Sequence, residues 1–160
     1  MSSSQQISSF DGGYDEISKQ IHEGFKGRIV FTNGCFDLLH PGHLDTLSQA
    51  NELAGPKGKV VVGINSDESI RRLKGPGRPI MDAAARGRLL MSIRYVDHVV
   101  VFDEDTPAKL IEALRPNAIV KGGDYTPDKV VGKDVAPVFI AEMRSGWSTS
   151  KIVEKIRSGR

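Results

Sequence analysis

The chain lacks the features that mark oxidised, membrane-bound or polyanion-coating proteins. Its one cysteine, Cys35, cannot close an intramolecular disulfide, so a reducing compartment, the cytoplasm, is the expected setting. No apolar run approaches the roughly 18 residues of a membrane span, and the polar N-terminus does not read as a signal peptide. Charge of one sign is also missing: 22 Lys and Arg stand against 20 Asp and Glu, leaving +2 at neutral pH. So even a balance offers no strong basic field, which argues against nucleic acid or a membrane surface as partner and favours a small molecule.

What is present suits one globular domain. With 39% hydrophobic residues in 160, the chain can bury most of its apolar surface on a single core. Residues 1–13, rich in Ser, Gln and Gly, offer little to bury and read as a flexible or loosely docked tail. Residues 14–160 then form the domain. Tyr14, Ile17, Ile21 and Phe25 recur at helical spacing, predicting a helix that Gly27 ends. Short β-branched runs follow at 28–32, 59–64, 98–102, 118–121 and 135–140. Between them lie helical segments with readable starts: Asp82 caps 83–94, and Thr106 caps a helix with Pro107 at its first position. Strand and helix alternating in this way predict a Rossmann-like, doubly wound α/β fold, with five parallel strands and helices on both faces. Ligands of such sheets sit beyond the carboxyl ends of the strands, where strand order reverses.

The first loop after a strand carries the strongest signal. It runs from Thr32 to His43, with Asn33, Gly34, Cys35, Phe36, Asp37, His40, Pro41 and Gly42 between, and a helix bearing Leu44, Leu47, Ala50 and Ala54 on one face follows. Gly34 lets the backbone approach a ligand, and Pro41 starts a helix whose free N–H groups and positive dipole end attract anions. His40 and His43, three residues apart, can face one bound group, and Gly42 leaves room beside them. Taken alone, a His-x-x-His pair also fits a metal or a solvated surface. Zinc is disfavoured because His22 and His98 lie in separate elements and no second Cys or His cluster supplies further ligands. Cys35 has no evident activating partner and reads as a small buried residue. Asp37 fits either a loop-orienting or a substrate-contacting role.

These residues resemble the HxGH signature of the nucleotidyltransferase superfamily, which includes cytidylyl- and adenylyltransferases and, more distantly, class I aminoacyl-tRNA synthetases. The likeness extends, in order and spacing, through residues 63–68, Lys74-Gly75, Arg78-Pro79-Ile80, Val96-Asp97, residues 104–107, residues 120–125 and Ser148-Thr149-Ser150. Over residues 28–157 the chain is most similar to the heptose 1-phosphate adenylyltransferase family. That family has stand-alone members and others fused to a sugar kinase; no kinase is expected within these residues.

The resemblance implies a set of roles. His40, His43 and Lys74 would be catalytic, the histidines holding the triphosphate and Lys74 bridging the phosphates of both substrates. Thr32, Asn33, Gly34, Cys35 and Phe36 would line the nucleotide site with Gly42, and the loop from Lys121 to Tyr125, with Gly122 and Asp124, would border nucleotide or sugar. Trp147, Ser148, Thr149 and Ser150 would meet the triphosphate at the start of the last helix, where Ser148 also suits an N-cap; Trp147 either stacks on the base or packs. Arg78 and Arg94 are candidates for substrate phosphate, Arg94 because its setting resembles that in glycerol-3-phosphate cytidylyltransferases. Arg86 lies between a phosphate contact and a solvated charge, and Arg71 and Arg72 read as an exposed helix face. Ala85 stands where many relatives carry an acidic residue.

The implied reaction joins a heptose 1-phosphate to the α-phosphate of ATP, with Mg²⁺ on the triphosphate and no protein metal ligands, in a homodimer. A cytidylyltransferase acting on glycerol 3-phosphate is the rival enzyme. A non-catalytic nucleotide-binding module is the rival of another class, but its mark would be a lost motif histidine or lysine, and His40, His43 and Lys74 are all present.

Overall fold

A computed structural model describes residues 6–8, 13–123, 125–143 and 146–159. In chain order the elements are β1 (Gln6–Ser8), α1 (Gly13–His22), β2 (Ile29–Gly34), α2 (Pro41–Ala54), β3 (Lys59–Asn65), α3 (Asp67–Lys74) and α4 (Ala83–Met91). These lead into β4 (His98–Phe102), α5 (Ala108–Leu114), β5 (Ala118–Gly122), a 3₁₀ turn at Pro127–Lys129, β6 (Val138–Ala141) and α6 (Thr149–Ser158). The sheet order is β1-β4-β3-β2-β5-β6, and every pairing is parallel.

All five expected strands form, and a sixth joins them at the edge. Gln6, Ile7 and Ser8 pair with His98, Val99 and Val100, so part of the segment expected as a loose tail is bound by the sheet's hydrogen-bonding edge. The composition of residues 1–13 hid this because a three-residue edge strand takes its stability from an existing neighbour.

Alternation along the strands divides the core in two. Val30 and Val60, Val62 and Ile64 face Leu47, Ala50 and Leu90 of α2 and α4, whereas Ile29, Phe31 and Val61 face Ile17 and Ile21 of α1 and Leu110, Ile111 and Leu114 of α5. Both faces are buried, which is why these strands read as continuous apolar runs. Full burial of each such Val, Leu or Ile contributes about 1.5–3 kcal/mol, making the sheet a rigid base for the loops at its end.

Several element boundaries depart from the sequence reading, and four of them have a clear local cause. Helix α1 stops at His22, where the His22 carbonyl accepts from the Phe25 N–H at 2.9 Å instead of continuing to Phe25. Helix α4 stops at Met91, its end tightened by Ser92 N–H to Leu89 and Ile93 N–H to Leu90 carbonyls at 3.1 and 3.0 Å. The N-cap of α5 is Pro107 rather than Thr106, and its side chain has no polar atom to cap with. Strand β6 starts at Val138 rather than Val135, because Val135 and Ala136 N–H groups turn back to the Gly132 carbonyl. The Asp82 and Ser148 caps form as expected, accepting from Ala85 N–H at 2.7 Å and Lys151 N–H at 3.2 Å.

The chain reverses its winding at β2, which has β3 on one side and β5 on the other. The carboxyl ends of β2 and β5, at Gly34 and Gly122, therefore flank the crevice where a ligand is expected.

Candidate active site

The corner after β2 is built by two buried anchors. Asp37, 3% exposed, accepts from Ile80 and Met81 N–H groups at 2.9 Å and from Arg78 Nη1 at 3.1 Å. Burial alone would raise its carboxyl, but the Met81 and Ile80 donors and the Arg78 guanidinium outweigh that and hold it below the usual range. Arg86, wholly buried, donates to the Met81 carbonyl at 2.9 Å, the Cys35 carbonyl at 2.8 Å and the Asp67 carboxylate at 2.7 Å. These contacts tie the 35–37 loop to the start of α3 and to the 78–82 loop. The chain turns between the two anchors through Phe36 in the left-handed region, at φ 49°.

His40 then caps α2 with extended backbone (φ −143°, ψ 166°), and Pro41 opens the helix. The His40 and His43 rings stack with centroids 3.7 Å apart and planes 21° from parallel. His43 Nδ1 accepts from the His40 backbone N–H at 3.3 Å, so in the neutral ring the proton sits on Nε2 and that atom is the donor. Burial, then the neighbouring His40 and the Lys74 charge, push the His43 imidazole down to about 4. Burial also lowers His40. Both rings are thus neutral near pH 7 and can donate hydrogen bonds without adding charge.

The rings open on a cavity of about 250 Å³ at the switch point, lined by Thr32, Asn33, Gly34, Phe36, His40, Gly42, His43, Thr46, Lys121, Gly122, Tyr125, Met143, Trp147 and Ser148. A Cβ on Gly42 would lie 2.7 Å from Met143 Cε and 3.1 Å from the His40 ring, and one on Gly122 would lie 2.3 Å from Thr46 Oγ1. Glycine at these two positions is what lets the strand end and the helix start converge. Lys121 reaches across the cavity floor, its Nζ donating to the Asn33 carbonyl at 3.1 Å and lying 4.8 Å from the Tyr125 ring centre. Burial pushes its ammonium down to about 8.

Most expected nucleotide residues converge here, with several exceptions. Cys35 does not line the cavity: Arg86 occupies its carbonyl, and its Sγ lies 3.9 Å from Asn65 Oδ1. Thr149 is also outside the lining, while Ser150 and Arg78 line a second cavity beside α6. Lys74 is exposed at the end of α3, yet its charge is felt at His43. Asp124 lies outside the described residues. Arg94 is also outside the lining: it follows the end of α4 and precedes β4, at the amino edge of the sheet, where its guanidinium donates to the Tyr95 hydroxyl at 2.9 Å. Because α4 ends at Met91, the chain has already turned toward the next strand when it reaches Arg94. Arg86, for its part, is an internal tie rather than a phosphate contact.

Two lining residues, Thr46 and Met143, went unread, and a third, Tyr125, lies in the loop expected to border nucleotide or sugar. Thr46, four residues after Gly42 on the same helix, donates to the Gly42 carbonyl at 3.2 Å and was recoverable from helical spacing. Tyr125 closes the loop already singled out after β5. Met143 follows β6 and carries no local signal, since only the sheet order brings it to Gly42.

A parallel sheet whose switch point opens between a helix-starting imidazole pair and a half-buried lysine defines a Rossmann-like α/β protein with an anion-suited crevice at its strand ends. The chain belongs to the cytidylyltransferase-like family, whose model matches residues 31–158. It is 51% identical over 137 residues to the bifunctional protein HldE of Geotalea uraniireducens, covering 82% of this chain and 27% of the relative. It is 46% identical over 159 residues to the protein of the same name from Geobacter metallireducens, covering 96% of this chain and 31% of the relative. The chain therefore corresponds to under a third of either relative's length. Among solved structures, a lipopolysaccharide core biosynthesis protein from Thermoplasma volcanium superposes with a TM-score of 0.61 at 23% identity, over 76% of this chain and all of that one, a likeness of fold. Among the described residues, no helix is long and apolar enough to cross a membrane.

Proposed function

We propose that the chain transfers AMP from ATP to a heptose 1-phosphate, giving ADP-heptose and pyrophosphate. The observation that carries this reading is the stacked, neutral His40–His43 pair at the start of α2, facing a cavity that also holds Lys121. The family membership supports the nucleotidyl transfer, and the resemblance to heptose 1-phosphate adenylyltransferases supports the acceptor.

A sugar phosphate is mostly dianionic at neutral pH, its second pKa being about 6, so it attacks the α-phosphorus without a dedicated base. A bond forms from the acceptor oxygen to the α-phosphorus, and the bond to the bridging oxygen of pyrophosphate breaks. Repulsion is the obstacle: two unit charges 4 Å apart cost roughly 4 kcal/mol at an effective dielectric near 20. His43 Nε2–H and the His40 ring donate to oxygens that gain charge, the start of α2 adds its dipole, and Lys74 and Lys121 supply positive charge. Mg²⁺ bound to the triphosphate would neutralise charge on the leaving group. Thr32, Asn33, Gly34, Phe36, Gly42 and Gly122 shape the nucleotide cavity, and Trp147, Ser148, Thr149 and Ser150 provide the helix start that meets the phosphates. The reading includes a cytoplasmic homodimer.

Pyrophosphate release tests it, with ATP, CTP, GTP and UTP crossed against heptose 1-phosphate and glycerol 3-phosphate. Release with ATP and heptose 1-phosphate is expected. Faster release with CTP and glycerol 3-phosphate would replace the adenylyl reading, and tight nucleotide binding without release in any pair would indicate a binding module.

A further inference from the structure

A second cavity, of about 500 Å³, lies beside the first and is lined by Arg78, Ser150, Val153, Glu154, Arg157 and Ser158. The five α6 residues are spaced at 3, 4, 7 and 8 positions from Ser150, which places them on one helix face. No residue of α6 is fully buried, and on this face only Val153 is half-buried while Ser150, Glu154, Arg157 and Ser158 are exposed. Arg78 closes the opposite wall and is held by the Asp37 carboxylate, three residues before His40. The two cavities are thus linked twice: through Asp37 to the histidine corner, and through the start of α6, where Ser148 lines one and Ser150 the other.

From this arrangement we infer that the second cavity is the acceptor subsite and that it takes a phosphorylated polyol. The inference rests on the nucleotidyl-transfer reading and adds the residues that choose the acceptor. Arg78 and Ser150 sit at the end nearest the histidines and suit the acceptor phosphate, which must reach the α-phosphorus. Glu154 faces the same space. A carboxylate there repels the terminal phosphates of a nucleotide but accepts hydrogen bonds from sugar hydroxyls, so its presence selects the polyol over the triphosphate tail. Val153 gives the C–H side of a ring an apolar contact. Arg157 and Ser158 stand about 10–12 Å along the helix from Ser150 and can donate to the far hydroxyl oxygens of an extended sugar. Among the described residues neither Glu154 nor Arg157 makes an ion pair, so both are available to a ligand.

Glu154→Gln and Arg157→Ala test the assignment. Both positions are exposed on α6, so folding should survive, and circular dichroism and Tm check it. Each is expected to raise KM for heptose 1-phosphate about tenfold, the scale of one lost charge-assisted hydrogen bond, with KM for ATP within about twofold of the parent. A rise in KM for ATP instead would give the cavity to the triphosphate and overturn the inference, as would unchanged KM for both substrates. Should the parent release no pyrophosphate with any pair, the function fails separately. Calorimetric titration of heptose 1-phosphate then decides this inference: weaker binding by the variants upholds it, and equal or absent binding overturns it.

Discussion

The backbone N–H of His40 donates to Nδ1 of His43 across 3.3 Å while the two rings stack, so the first histidine sets the tautomer of the second. One side of the His43 ring is thereby fixed to the chain, and Nε2 is left as a donor. Burial of the pair keeps the rings neutral, so they present directed hydrogen bonds to a polyanion without bringing two positive charges together at 3.7 Å.

In the proposed reaction, replacing His43 by Ala removes one preorganised donor at the α-phosphate. kcat should fall by roughly 10²–10³, with a much smaller change in KM for ATP. Steady-state pyrophosphate release measures both, and unchanged kcat would assign His43 a role in packing alone.

Gly42 tests the tolerance of the same corner. A methyl group there meets Met143 and the His40 ring, and the ring has little room to retreat. Gly42→Ala should keep its circular dichroism spectrum and lose about 10²-fold in kcat/KM, because a displacement near 1 Å has that scale of effect on catalysis. Restoration of activity by the double variant with Met143→Ala would identify the methionine as the obstacle; no restoration would point to the His40 ring.

Lys121 gives the pH signature. Its ammonium titrates near 8 in the free protein, pushed down by burial, so positive charge in the cavity is present below that pH and lost above it. Accordingly, kcat/KM for ATP, which reports free-enzyme ionisations, should decline above about pH 8. In Lys121→Met the low-pH value drops and the decline disappears. A decline that persists in the variant would have another source.

Arg86 is a stability determinant. Truncation to Met leaves the Met81 and Cys35 carbonyls without their donor and Asp67 without its partner. The expected loss is about 3–5 kcal/mol, the range for breaking a buried pair, read from urea unfolding. A loss under about 1 kcal/mol would mean that solvent readily replaces the guanidinium.

Trp147 is the single tryptophan of the chain and lines the cavity beside the His40–His43 pair at 51% exposure. Its emission should change saturably as ATP is added, with a Kd matching that from calorimetry. Emission that stays constant while calorimetry registers binding would place the nucleotide away from Trp147.

The amino-acid order by itself determined much of this protein. Buried strands such as 59–64 showed as unbroken β-branched runs, helix starts showed in Ser148, Asp82 and Pro41, and the His40–Gly42–His43 corner showed as a local anion site, because each depends on neighbours within a few residues. Tertiary structure decided the rest. It alone brought Met143 against Gly42, turned Arg86 inward to Cys35 and Asp67, enlisted Gln6–Ser8 as an edge strand and sent Arg94 to the far edge of the sheet. Such placements follow from strand order and from where each helix ends, which are settled by the packing of distant segments, and no local pattern encodes them.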